Sequence, residues 1–390
     1  MEFGHGALLT VGTLPELTIS MYTNISDISQ IWLKFQTHAA TTLYHTFQWC
    51  NAWQKAVGEK SGCRPQILVG RTTAGVVKFI LPLQMRTSFG LKILEWHGYP
   101  NVNYGYGLFD RIFLRFAEPW FAEHFDTILN AIGPFDVLSL QDMPLRLHNS
   151  VNPLAKHTNI KAANRAYAIN LQPDYNELYA AKRSSATRKS QRKKDARLIA
   201  MGEVEFGVPT SKDEAHHVLD EMFDDQSQRL AKSGIHDIFN ESEKRFFHLL
   251  IEETDKASPF LIPYVLKCNG VTLAAMLGGC ASNTFWPFIT SMKMDETQKH
   301  SPGDYLLRHV IEASCRLGLE SFDFASGEST YKSQWSDDII DLGITLKARN
   351  IWALIWVCGL ASKLYAKRLI KQNPVALSCV CMLRRLLAGH

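Results

Sequence analysis

Residues 284–324 constrain the fold most, because they read as a strand, a helix and a second strand. The first strand, TFWPFITS, contains Pro287, which lacks one N–H for the β-ladder and so belongs at an edge or a bulge. Apolar residues recur at helical spacing over 302–317, with Ser301 expected as N-cap and Gly318 after the last turn. Such a crossover places two parallel strands side by side. The proline predicts that the first of them parts from a neighbour.

Polar residues follow the second predicted strand, in the segment ASGESTYKSQW at 325–335. Ligands of open α/β sheets collect beyond the carboxyl ends of parallel strands, and the helix N-terminus near Ser301 opens at that same end. Exposed amides there attract anions such as phosphate. We therefore expect Glu328, Tyr331 and Lys332 to face a ligand.

Two predicted hairpins in distant parts of the chain indicate an internal duplication. Residues 65–82 read as strand, polar turn and strand, and residues 263–278 repeat this scheme around an Asn-Gly turn. A helical stretch precedes each hairpin, at 47–57 and at 242–254. The sequence favours a weak tandem duplication, and two unrelated α+β domains are the alternative.

The composition is that of a globular chain of two or three domains, with 390 residues of which 46% are hydrophobic. The eight cysteines have neither CxxC nor zinc spacing, which predicts reduced thiols and no metal. The N-terminus lacks a signal-peptide pattern, and the longest apolar run, 351–361, is about half of a bilayer span. We expect a cytoplasmic protein.

Positive charge is concentrated in two segments of a chain whose net charge is +4. Residues 182–197 carry eight basic residues and one acid, without aromatic residues for base stacking. This pattern favours a solvated helix face, and a contact with tRNA or another anionic polymer is the alternative. The tail after Asn350 has six basic residues and no acid. We expect it to pack on the domain; the alternative is a peripheral contact with the inner membrane through Trp352, Trp356 and the basic residues.

The run SPGDYLLRHVIEASCRLGLESFDFASGESTYKSQW at 301–335 resembles the signature of GNAT-type acetyltransferases of the CelD, or cellulose-biosynthesis, branch. It is also similar to the Fem-type aminoacyltransferases, which share a tandem GNAT plan. The resemblance implies an α+β fold with mixed α/β sheets, built as a tandem duplication of two GNAT-like acyltransferase domains. We expect these domains at 17–170 and 171–349, the second being catalytic, and a helical basic tail at 350–390.

The resemblance implies acyl transfer from acetyl-CoA or a longer acyl-CoA to an amine, in bacterial envelope or exopolysaccharide (cellulose) biosynthesis. In that superfamily two parted strands hold the pantetheine arm, and a backbone amide supports the thioester carbonyl. Holding both reactants in register supplies roughly 7 to 11 kcal/mol of the barrier. Two alternatives are a Fem-type aminoacyl-tRNA-dependent aminoacyltransferase and a non-catalytic polysaccharide-assembly factor.

Site residues are proposed from the same resemblance. The donor is expected at two short segments, Phe288, Ile289 and Thr290 facing the thioester and Ser301, Gly303 and Asp304 framing the pyrophosphate. Pro302 and Asp304 depart from the usual glycine-rich phosphate loop, because one amide is lost and a negative charge is added.

The expected catalytic and acceptor residues lie in the same segment and on one earlier helix. Asp323 or Glu328 accepts a proton from the incoming ammonium, because an amine must be neutral to attack. Lys332 stabilises a phosphate or the developing oxyanion, and Arg229 holds an anionic acceptor or the donor. Tyr331 and Trp335 are expected beside them, with aromatic packing in the core as the alternative.

Overall fold

One mixed β-sheet runs through the computed structural model, which describes residues 16–147, 149–232, 239–254, 260–373, 375–376 and 378–380. Its strands lie in the order β1-β2-β3-β4-β6-β15-β9-β14-β13-β12-β11-β10, and β5 pairs with β3. Helices cover the sheet, so the expected mixed α/β architecture is confirmed.

The first half of the chain supplies one end of this sheet. Its elements are β1 (Leu17–Tyr22), α1 (Ser29–Gln36), α2 (Phe47–Trp53), β2 (Arg64–Thr72), β3 (Val77–Ser88), β4 (Leu91–Trp96), β5 (Leu108–Phe109), α3 (Leu114–Ala131), β6 (Val137–Pro144), β7 (Arg146–Leu147), β8 (Ser150–Val151) and β9 (Ile160–Asn170).

The second half supplies the other end. Its elements are α4 (Tyr175–Lys182), α5 (Ser185–Ile199), β10 (Val204–Gly207), α6 (Lys212–Lys232), α7 (Glu241–Glu252), β11 (Leu261–Cys268), β12 (Val271–Ala281), β13 (Thr284–Met292), α8 (Pro302–Arg316), β14 (Ser321–Ser326), α9 (Thr330–Trp335), β15 (Asp338–Ala348) and α10 (Ile351–Gln372).

The two halves share one topology. In the first, the hairpin β2–β3 continues into β4, and α3 then leads to β6, which lies parallel to β4. In the second, the hairpin β11–β12 continues into β13, and α8 leads to β14, which lies parallel to β13. The predicted tandem duplication is confirmed.

Strands β9 and β15 join the halves. β15, from the end of the second half, pairs antiparallel with β6 of the first half and with β9. β9 also pairs with β14, beside the predicted crossover. The expected boundary at residue 170 therefore falls at the end of a strand that is shared by both parts of the sheet.

Two hydrophobic clusters flank the second half of the sheet. The larger one contains core residues of both halves, including Trp49 and Phe247, while the smaller one lies under α8 and includes Phe322 and Phe324. Helix α10 packs Trp356 and neighbouring residues on the larger cluster. Within the described ranges, no helix combines the length and the apolar character that a bilayer crossing requires.

Candidate active site

The parallel strands β13 and β14 touch only where they begin. Their register contains two pairs, Thr284 with Ser321 and Phe285 with Phe322. Beyond these pairs β13 continues to Met292 without a partner in β14. The strands therefore separate and leave a wedge that opens toward their carboxyl ends, as Pro287 predicted.

A bulge in β13 lies at the start of this wedge. Pro287 pairs with Gly278 and Ile289 pairs with Leu277, so Phe288 has no partner in the register of β12 or of β14. The Phe288 ring packs against Trp49 of α2 and Phe247 of α7, with ring centroids 4.9 and 5.0 Å apart. These contacts fix the bulge, so the backbone at Phe288 is held apart from the β-ladder.

Two adjoining cavities occupy the wedge and together form one cleft. The inner cavity, of about 160 Å³, contacts the bulge and the loop after β14. The outer cavity, of about 370 Å³, extends from β13 to the N-terminus of α8. Both are lined by Thr290 and Tyr331, together with Met276 and Leu307.

Most of the predicted site residues line this cleft. The inner cavity is lined by Phe288, Thr290, Tyr331 and Lys332, and the outer one adds Arg229, Ser301, Gly303 and Asp304. Ile289 is buried in the core, and Trp335 is fully buried beneath the guanidinium of Arg183, 4.3 Å from its ring centroid. Glu328 lines a different groove, beside Arg165.

Ser301 is the N-cap residue of α8, as the sequence predicts. Ser301 has left-handed backbone angles, φ 58° and ψ 54°, and its side chain makes no capping hydrogen bond. Its hydroxyl instead accepts a hydrogen bond from Lys194 of α5, with Nζ 3.0 Å from Oγ. The predicted N-cap position of Ser301 is therefore confirmed, but its hydroxyl binds a neighbouring helix and not the first turn of α8.

The charge of Asp304 is balanced by partners that the sequence pattern did not reveal. Arg308 donates to Asp304 at 3.1 Å and forms two hydrogen bonds with Asp195 of α5, at 3.0 and 2.6 Å. Gln191 of the same helix donates to both oxygens of Asp304. The basic segment at 182–197 thus has a structural contact: α5 is tied to the first turns of α8, while most of its other side chains are exposed.

Lys332 lies half-buried on α9 at the inner end of the cleft. Its ammonium donates to the carbonyl of Ser326 at 3.0 Å. Burial lowers the pKa of Lys332 to about 8, although the nearby carboxyl of Asp323 acts in the opposite direction. A lysine in this state is mainly cationic at neutral pH and is close to exchanging its proton.

Asp323 lies behind the cleft wall and is 2% exposed. Its Oδ1 accepts hydrogen bonds from the hydroxyl of Tyr104 and the amide of Ala325, both at 2.7 Å. Burial raises the pKa of Asp323 to about 7, and the two hydrogen bonds limit that rise. Its carboxyl group can therefore take up or lose a proton near neutral pH.

Two contributors to the site come from the first half of the chain. Tyr104 reaches Asp323, while Asn103 lines the inner cavity and donates to the hydroxyl of Tyr44 at 3.0 Å. Neither was predicted, because 219 positions separate Tyr104 from Asp323 and no local pattern links them.

Helix α6 supports the outer part of the cleft. Gln226, which is buried, donates to the carbonyl of Thr290 at 2.7 Å, and Arg229 donates to Gln226 at 2.6 Å. Arg229 therefore lines the cleft as predicted and also orients the residue that holds β13. Within the described parts of the chain, His, Cys, Asp and Glu side chains form no cluster suited to a metal ion.

Comparison with known proteins agrees with this geometry. Residues 185–333 match the family model of the acetyltransferase (GNAT) domain, which spans α5 to α9 and contains the wedge. A comparison with curated proteins found no significant match.

Solved structures match this chain at low sequence identity. FemX superposes with a TM-score of 0.56 at 9% identity, covering 86% of this chain and 98% of its own. A tandem GNAT protein from the clavulanic acid biosynthesis pathway gives 0.40 at 11% identity, covering 86% and 99%. The C-terminal domain of a putative lysylphosphatidylglycerol synthetase from Agrobacterium fabrum gives 0.48 at 10%, covering 85% and 95%. The family-model match over residues 185–333 and the superposition on FemX together indicate a GNAT fold.

Proposed function

We propose that this protein is an acyl-CoA-dependent N-acyltransferase. The observation that carries the proposal is the wedge between β13 and β14, with the unpaired bulge at Phe288 on one wall. A pantetheine arm inserted there runs alongside β13 as an additional strand, so its amides can bond to backbone groups that β14 leaves free. The thioester then lies next to the backbone of Phe288 and Thr290.

In the proposed reaction, the nitrogen of a neutral amine attacks the thioester carbon. A C–N bond forms and the C–S bond breaks, the electron pair leaves with the sulfur of CoA, and the nitrogen loses one proton. The ammonium of Lys332 and the amide of Phe288 stabilise the developing oxyanion, and one such donor contributes about 3 to 4 kcal/mol. We assign proton uptake to Asp323 rather than Glu328, because its pKa is about 7 and it lies directly behind Ala325.

The phosphates of CoA are assigned to the outer cavity. Gly303, in the first turn of α8, lines this cavity, and the ammonium of Lys194 donates to the hydroxyl of Ser301. Arg308 neutralises the charge of Asp304, and Gln191 donates hydrogen bonds to its carboxylate. Asp304 therefore presents less negative charge to a phosphate than the sequence suggests. The second departure, Pro302, still removes one amide.

The proposed activity is tested with purified protein in two steps. Thermal unfolding is followed with acetyl-CoA, longer acyl-CoAs and free CoA, since a ligand at 100 times its Kd adds about 2.7 kcal/mol to stability. Release of the CoA thiol is then measured with a panel of amines, including amino sugars. We expect stabilisation by at least one acyl-CoA and amine-dependent thiol release. Absence of binding by any CoA species contradicts the proposal and favours a non-catalytic polysaccharide-assembly factor.

For the biological setting we propose bacterial envelope or exopolysaccharide synthesis, by resemblance to the CelD branch. The fold likeness to FemX supports one alternative, a Fem-type transfer from aminoacyl-tRNA, with the exposed basic residues of α5 as the RNA contact. Ribonuclease treatment distinguishes them, because only the tRNA-dependent reaction loses activity.

We also propose that α10 contacts an anionic membrane surface from the cytoplasmic side. Its outer face exposes large apolar residues, among them Trp352 at 72% and Ile355 at 61%, while the opposite face packs on the core. The sequence after Asn350 has no acid, so two copies of this tail repel each other and an anionic surface attracts them.

The membrane contact is tested by flotation with phosphatidylglycerol-containing vesicles. We expect the protein to float with these vesicles, and Ile355→Glu to abolish this. Phe89→Glu, which changes an even more exposed apolar residue in the turn between β3 and β4, is the control. Flotation that survives Ile355→Glu contradicts the assignment to α10.

A further inference from the structure

A second polar groove, of about 510 Å³, lies between β9, β15 and α10. We call it the basic groove; its lining includes Lys161, Arg165, Glu328, Asp341, Arg368 and Lys371. These residues do not line the cleft described above. The volume lies within the range of small-molecule binding sites.

Positive charges exceed negative charges in this groove. Lys161 is paired with Asp341 at 2.8 Å, and Arg165 with Glu328 at 3.5 Å. These pairs use both acids of the lining, and within the described part of the chain neither acid forms an ion pair with Arg368 or Lys371.

Arg368 is the basic residue best placed to bind a ligand. It is half-buried on the inner side of α10, and no ion pair or hydrogen bond to it occurs among the residues that the structure describes. Lys371, one turn further on, donates to Asn164 of β9. Burial and a neighbouring lysine lower the pKa of Lys371, although the carboxylates of Glu328 and Asp142 act in the opposite direction. A guanidinium without a carboxylate partner is suited to bidentate recognition of a phosphate or carboxylate.

The basic groove adjoins the loop that follows β14. The backbone carbonyl of Arg165 accepts a hydrogen bond from Gly327 at 3.1 Å, and its side chain pairs with Glu328. Ser326, the last residue of β14, lines the cleft, and its carbonyl accepts from the ammonium of Lys332. Of the three consecutive residues 326–328, the first thus lies in the cleft and the last in the basic groove.

We propose that the basic groove binds a phosphate-type anion carried by the acyl acceptor. The acceptor's anion lies on Arg368 and Lys371, and its amine reaches the cleft past the loop 326–328. This inference rests on the proposed function because it assumes that the protein has an acyl acceptor. The anion site itself is inferred from the residues that line the groove. The anion can belong to a soluble phosphorylated molecule or to a lipid headgroup, because the recognising chemistry is the same.

The first experiment measures binding of inorganic phosphate to the full-length protein by calorimetry. We expect Arg368→Gln to weaken phosphate binding at least tenfold, and Lys161→Gln, a second variant across the groove, to weaken it by a smaller factor. Lys363→Gln, an exposed lysine of the same helix outside the groove, is the matched control and should leave the Kd unchanged. Because Arg368 makes no hydrogen bond or ion pair within the described part of the chain, its variant is expected to fold.

Vesicles distinguish the source of the anion. Arg368-dependent binding of free phosphate, with unchanged flotation on phosphatidylglycerol vesicles in Arg368→Gln, identifies a soluble acceptor. Arg368-dependent flotation without measurable binding of free phosphate identifies a lipid headgroup, and both results support the anion site. Phosphate binding and flotation that are each indifferent to Arg368→Gln and Lys161→Gln overturn it.

Acetyl-CoA binding is measured with the same variants, to separate this inference from the proposed function. We expect its Kd to be unchanged in Arg368→Gln, because Arg368 does not line the cleft. If acetyl-CoA binds but the groove variants change neither phosphate binding nor flotation, the anion site is wrong and the acyltransferase proposal stands. If acetyl-CoA does not bind but phosphate binding depends on Arg368, the acyltransferase assignment fails and the anion site remains.

Discussion

At the scale of single residues, Asp323 and Lys332 have pKa values that converge on neutral pH for one shared reason. Both side chains are withdrawn from water, which raises the pKa of the acid to about 7 and lowers that of the base to about 8. Shifts of this kind are typical of functional sites. Around pH 7 to 8 a small change in surroundings therefore changes the charge of either group.

Lys332→Ala is expected to lower kcat roughly 10²- to 10³-fold, because the oxyanion loses a cationic donor. The Kd for acetyl-CoA, measured by calorimetry, should change little. Wild-type activity should fall above pH about 8, where Lys332 loses its proton. Lys60→Ala, an exposed lysine far from the cleft in sequence, is the control. Unchanged turnover in folded Lys332→Ala removes Lys332 from the site.

Asp323→Asn is expected to change how stability depends on pH. Because the folded protein holds the proton of Asp323 up to pH about 7 and the unfolded chain releases it near 4, wild-type stability falls across this interval. The slope approaches about 1.4 kcal/mol per pH unit for one proton. Asparagine keeps an acceptor for Tyr104 and Ala325 but cannot titrate.

The measurement for Asp323 is urea unfolding of both proteins between pH 5 and 8. The free energy of unfolding of Asp323→Asn, relative to wild type, should rise as the pH increases toward 7 and then level off. A difference that stays constant with pH shows that Asp323 does not titrate in this range.

At the scale of elements, the wedge depends on the short bulge in β13 and on the glycine opposite it. A Cβ added at Gly278 would lie 2.9 Å from the backbone oxygen of Trp286 and 2.5 Å from the ring of Phe285. A change of side-chain rotamer cannot relieve the contact with the backbone oxygen of Trp286. Gly278 therefore permits the close approach of β12 and β13 at the point where the wedge begins.

Gly278→Ala is expected to displace β13 and weaken acetyl-CoA binding, by about tenfold if the misfit costs roughly 1.4 kcal/mol. Gly207→Ala is the matched control, since Gly207 lies on the edge strand β10 and a Cβ there meets no atom within 4 Å. Equal Kd values for Gly278→Ala and wild type contradict the importance of the bulge.

The sequence predicted the elements of the wedge because their signals are local. Pro287 marked the bulge, the helical spacing marked α8, and the Asn-Gly turn marked the β11–β12 hairpin. It did not predict that the Ser301 hydroxyl accepts from Lys194, because this lysine lies on another helix. The sequence also placed Glu328 at the cleft, but in the structure Glu328 pairs with Arg165 of β9 and lines the basic groove.

At the scale of the whole molecule, the first half of the chain takes part in the site of the second. Tyr104 donates to Asp323, and Trp49 packs on the bulge residue Phe288. The exchange of β9 and β15 between the two parts of the sheet holds this arrangement. A duplicated sequence predicts two similar domains, but not that one completes the site of the other, since such contacts leave no periodic pattern.

Tyr104→Phe is expected to raise the pKa of Asp323 further, because the hydroxyl that stabilises its charged form is removed. The acid limb of the pH–activity profile should therefore move to higher pH. Stability should also fall by about 1 to 3 kcal/mol, as for a buried acceptor that loses its donor.

Tyr106→Phe is the matched control for Tyr104→Phe. The Tyr106 hydroxyl is buried and has no hydrogen-bond partner in the described part of the chain. Removing it should leave the pH profile in place. A profile that moves equally in both variants, or in neither, contradicts the proposed coupling between the halves.

The most direct test of the account is a crystal structure of the protein with bound acetyl-CoA. We predict that the pantetheine arm lies between β13 and β14, with the thioester beside Phe288 and Thr290 and the phosphates near Ser301 and Gly303. Density for acetyl-CoA elsewhere on the molecule, with the cleft between these strands empty, would contradict the central claim.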